Sequence, residues 1–122
     1  MSNFHLITRA QHVVARTQLK LPIEIRDLAL KLPVSCHDWP DNEILGEEFE
    51  PDIMGLFIGE HHGLETGVSN SVPPQIFLFL ENIYDEADGD PAKFDEEVRL
   101  TYLHELGHYL GWDEDEVEAR GL

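Results

Sequence analysis

The chain has 122 residues, with 25 acidic against 8 basic side chains, 42% hydrophobic residues and one cysteine. That length holds one core and the apolar share is too high for a disordered acidic tail, so one domain over residues 1–122 is expected. Residues 1–36 hold five bases and two acids while residues 37–122 hold three bases and 23 acids, a net −20 that would repel a phosphate backbone and argues against nucleic acid as a partner.

Residues 3–20 place Phe4, Ile7, Ala10, Val13, Val14 and Thr17 at helical spacing, with Leu21 next in register, and predict an amphipathic helix that ends before Pro22. The segment Met1–Ala10 lacks a basic start followed by an apolar stretch, so no secretory leader is read and a cytoplasmic location is expected. Pro22 can open a short second helix, Ile23–Leu28. Ala29–Cys36 reads as a strand, at an edge because of Pro33. Cys36 and His37 are adjacent, so on a strand they face opposite ways and make a poor catalytic pair. One thiol also excludes an internal disulfide and a cysteine cage for zinc.

Residues 38–52 are acidic and bracketed by prolines, which predicts a loop. Ile53–Ile58 is a short apolar strand, and Gln75–Leu80 is a strand buried on both faces. Between them, residues 63–74 are loop chemistry, and His61-His62 read as exposed turn residues. Asp85–Asp90 reads as a solvated turn; a calcium loop would need an acid where Tyr84 stands. No apolar run is long enough to span a membrane.

Asp90 and Pro91 are a good cap and first residue for a helix running to Leu110, with Val98, Tyr102, Leu103, Leu106, Tyr109 and Leu110 on one broad face. Gly111 can end it in a left-handed conformation, and Asp113 with Glu116 can cap a short C-terminal helix.

The chemistry lies at the end of the long helix. His104 and His108 stand one turn apart on one side, so both imidazoles can reach one ion. Glu105 leaves the helix about 100° from His104, beside such an ion, where it can take a proton from water. Beyond Gly111 a carboxylate can return as third ligand, and both Asp113 and Glu114 are available.

Residues 104–114 resemble the H-E-x-x-H-x-x-G-x-x-(H/D) signature of zincin metallopeptidases. The stretch EVRLTYLHELGHYLGWDEDEVEARGL is similar to the C-terminus of the minimal zincin-like metallopeptidases of small bacterial proteins. The likeness extends more loosely over the two central strands. It implies a compact α+β domain, a small mixed sheet packed against a zinc-binding helix, with an N-terminal helix and a short C-terminal one. It also implies a zinc endopeptidase: Zn2+ on His104, His108 and Glu114, and a metal-bound water activated by Glu105. Glu114 departs from the family's His or Asp; Asp113, the other acid, is needed as a helix cap. The expected partner is a peptide or protein substrate, with no nucleic acid, no membrane, and a monomeric chain.

Two other readings compete. The sequence His108–Asp113 is similar to the middle of the H-x-x-x-H-x-x-G-x-D-H pattern of rRNA-maturation endoribonucleases, but Glu105 and Glu114 do not fit that pattern. A zinc-stabilised binding module without activity would instead fill every coordination position with protein ligands.

Overall fold

The computed structural model describes residues 3–41, 46, 50–59, 73–112, 115 and 116. In chain order these form α1 (Asn3–Leu19), α2 (Ile23–Lys31), β1 (Val34–His37), β2 (Gly55–Ile58), β3 (Gln75–Phe79), α3 (Leu80–Glu86) and α4 (Pro91–Tyr109). The class is α+β, as expected, with a three-stranded mixed sheet in the order β1-β3-β2. The central strand β3 pairs parallel with β1 and antiparallel with β2.

Helix α1 forms where the periodicity placed it. Leu6, Ala10, Val13, Val14 and Thr17 are buried along one stripe, and the Thr17 hydroxyl donates to the Val13 carbonyl at 2.8 Å. Arg9 binds both carboxylate oxygens of Asp95, at 2.6 and 3.0 Å, which ties α1 to α4. Farther along, the Gln18 amide donates to the Tyr102 hydroxyl at 3.2 Å.

The expected strand Ala29–Cys36 is corrected. Helix α2 continues to Lys31, burying Ala29 and leaving Leu30 in solvent, and the strand begins only at Val34. Leu, Ala and Lys are good helix formers, and Pro33 pushes Leu32 to extended backbone, where the helix stops. Cys36 lies on the core side of β1, and burial raises its thiol pKa. His37 faces the other way, its ring edge-on to Phe77 at 4.7 Å.

A second correction follows β3. Leu80 is the first residue of α3 instead of the last of the strand, and Leu80, Ile83 and Ala87 are buried at helical spacing. The turn then occupies residues 87–89, with Asp88 and Gly89 both left-handed. Of the expected C-terminal helix, residues 115 and 116 are helical and the remainder lies outside the described residues.

Helix α4 starts as its cap predicts, with the Ala92 N–H donating to the Asp90 carboxylate at 3.0 Å. It is covered on two sides. Phe94, Val98, Tyr102 and Leu106 join the core, and Thr101, Glu105 and Tyr109 follow one another at successive turns. Gly55 faces Thr101 and Glu105, and the Phe57 ring lies 5.7 Å from that of Tyr109. So one edge of α4 runs along β2. Among the described residues no helix is long and apolar enough to cross a membrane.

Candidate metal centre

The last turns of α4 carry His104, Glu105 and His108. A left-handed Gly111 stops the helix just beyond them (φ 79°). The Gly111 N–H reaches the His108 carbonyl, and the Trp112 N–H the Gly107 carbonyl at 2.9 Å. This closure satisfies the helix's last carbonyls and holds the histidine turn regular.

The two Nε2 atoms of His104 and His108 stand 3.1 Å apart, with the rings at 81° to one another. Two nitrogens at zinc-ligand distance and a tetrahedral angle would be about 3.3 Å apart, so the pair is already spaced to share one ion. With Glu105, the ligand atoms all lie within 4.8 Å of one another, the one such group among the described residues. His104 is half-buried and His108 exposed, so the group opens to solvent on the histidine side.

Glu105 is held differently. It is 8% exposed, and the Phe57 backbone N–H donates to its carboxylate. Burial raises its pKa above the ordinary carboxylate value, against the opposing pull of His108, His104 and the Phe57 N–H. The register explains why that N–H is available. The Phe79 N–H donates to the Met54 carbonyl at 2.8 Å, so in an antiparallel pair Leu56 and Ile58 also turn their backbone groups to β3. Gly55 and Phe57 therefore turn theirs to the outer edge.

Gly55 is what lets α4 come this close. A Cβ there would meet the Thr101 methyl at 2.6 Å and the Glu105 Cγ at 3.3 Å. The segment leading into β2 is pinned by Asn82 on α3, whose side-chain amide donates to the Pro51 and Ile53 carbonyls at 2.9 and 2.8 Å. None of these supports was foreseen from the sequence. A glycine interrupting the apolar run IMGLFI was the one available sign, since such a residue marks close backbone approach. Asp113, Glu114, His61 and His62 lie outside the described residues.

A family model for zincin-like metallopeptidases matches residues 30–122. The chain belongs to that family. The zincin-like match begins within α2 and carries through the whole sheet and the histidine helix, leaving α1 outside it, so the Arg9–Asp95 pair joins the unmatched helix to the matched region. No protein of curated function matches the chain.

Proposed function

We propose that this zincin-like chain is a zinc-dependent endopeptidase. His104 and His108 hold Zn2+ with Glu114 as third ligand, and Glu105 is the general base. The observation that carries the reading is the pair of imidazole nitrogens 3.1 Å apart, with a buried carboxylate on the next residue. Bound zinc would supply the Lewis acidity that polarises a scissile carbonyl and makes water acidic near neutral pH.

The protein's own groups do the rest. Phe57 N–H and the packing of Gly55 and Thr101 fix the Glu105 carboxylate in one place. Its raised pKa suits an oxygen that must take a proton from water and then give it to a leaving amine. Among the described residues no strand pairs with the outer edge of β2. An extended peptide can add there, using the Gly55 backbone groups and the Phe57 carbonyl that the register turns outward.

The test is metal analysis after zinc supplementation, followed by cleavage of an unstructured protein with and without chelator. One zinc per chain and chelator-sensitive cleavage, abolished in Glu105→Gln, are expected. Metal-independent cleavage, or zinc without cleavage, would refute the reading.

A further inference from the structure

Beside the histidine pair, between β2 and the middle of α4, lies an open cleft of about 360 Å³. Ile53, Met54 and Leu100 give it apolar walls, and His104 and Glu105 stand at one end. At the other end is Glu97, seven residues before His104 on the same helix and so about 10 Å from it along the axis. Positions 97, 100, 101 and 104 share one face, which makes the cleft a continuous strip.

Two features of the strip lack a partner among the described residues. Leu100 is 44% exposed, a large apolar side chain beside the reactive group. Glu97 is half-buried and makes no hydrogen bond or ion pair among the described residues, although Lys93 is one turn away. Its neighbour Glu96, by contrast, is paired with Arg99. An apolar wall that ends in an unpaired carboxylate complements a side chain with an aliphatic stem and a cationic head. A lysine stem entering beside the metal pair spans most of the distance to Glu97. The net charge of −17 also draws cationic peptides towards the molecule.

We propose that this cleft is a specificity pocket that takes a lysine or arginine side chain next to the scissile bond. The stem lies on Ile53, Met54 and Leu100, and the charged head on the Glu97 carboxylate. The assignment of the occupant as part of a substrate rests on the peptidase reading; the binding preference itself does not.

The experiment reads the two separately. The ¹⁵N-labelled, zinc-supplemented full chain is titrated with N-acetyl-lysine methylamide and with N-acetyl-norleucine methylamide, which differ only at the head group. The lysine compound should move the amides of Met54 and residues 97–101 and bind about tenfold more tightly, and Glu97→Gln should level the two. Equal binding of both compounds, shifts that map elsewhere, or an undiminished preference in Glu97→Gln would overturn the pocket. Peptides carrying lysine or norleucine at each position near the cleavage point then report kcat/KM. A lysine preference of similar size that falls in Glu97→Gln supports the proposal. Cleavage without that preference overturns the pocket and leaves the peptidase reading standing. The lysine binding preference without any cleavage sustains the pocket and removes the peptidase reading.

Discussion

The approach of α4 to β2 can be tested at Gly55. A methyl group there would sit 2.6 Å from the Thr101 Cγ2, a separation no real pair of carbons holds, and 3.3 Å from both the Glu105 Cγ and the Phe77 carbonyl oxygen. Backbone and helix must part, and overpacking of this kind costs about 2 kcal/mol. For a chain of this size that is roughly 8 °C in Tm. Thr101→Ser removes the clashing methyl and keeps the hydroxyl, at about 1 kcal/mol for one buried methyl lost. The double variant Gly55→Ala/Thr101→Ser should therefore be little worse than Thr101→Ser alone, with a coupling energy of at least about 1 kcal/mol. Denaturant unfolding of the four proteins measures the cycle. Strict additivity, or a Gly55→Ala protein as stable as the parent, would show that α4 does not lie on β2 as described.

His104→Ala and His108→Ala should each abolish stoichiometric zinc, read by elemental analysis after dialysis, while the parent keeps about one ion per chain. Glu114→Ala should weaken zinc affinity sharply, whereas Asp113→Ala should chiefly lower stability by about 1 kcal/mol through a lost cap; the reverse pattern would assign the third ligand to Asp113. In chelator-stripped protein, Glu105→Gln should be more stable than the parent at neutral pH. The native Glu105 has a raised pKa, so the folded state holds its proton more tightly and loses stability as pH rises from the ordinary carboxylate range through that raised value. The advantage of glutamine should vanish below that window, and a pH-independent gap in thermal unfolding would contradict it.

The parts of the molecule that a reader of the sequence could see are those set by local chemistry. Asp90-Pro91 at one end and Gly111 at the other bound α4 within a residue of its observed limits, and the His-Glu-x-x-His spacing put a candidate metal-binding group on it. Periodicity likewise placed α1. It failed where an apolar run was short: Leu28–Leu32 fits alternation and helix equally, and only the burial of Ala29 with Leu32, three residues apart, separates the two. Helix α3 was hidden by the β-rich run before it, although Leu80, Ile83 and Ala87 carry its spacing. The support of Glu105 was beyond reach, because it depends on strand register. Which backbone groups of β2 face outward follows from its pairing with β3, a contact across some twenty residues of chain.

The hydrogen bond from Phe57 to Glu105 has a second consequence, for the protein's behaviour in concentrated solution. An unpaired strand edge is a template on which a second copy can zip, and chains usually blunt it with a charge or a cover. In β2 Glu105 takes up one donor of that edge, the Phe57 N–H, so a strand added there pairs only through the Gly55 backbone groups and the Phe57 carbonyl, enough for a short peptide and too few for a long sheet. Glutamine at this position still accepts from the Phe57 N–H, but alanine leaves it bare. An alanine variant made to test the proposed hydrolysis would therefore also remove the guard on its sheet, and its self-association on storage could be mistaken for loss of fold.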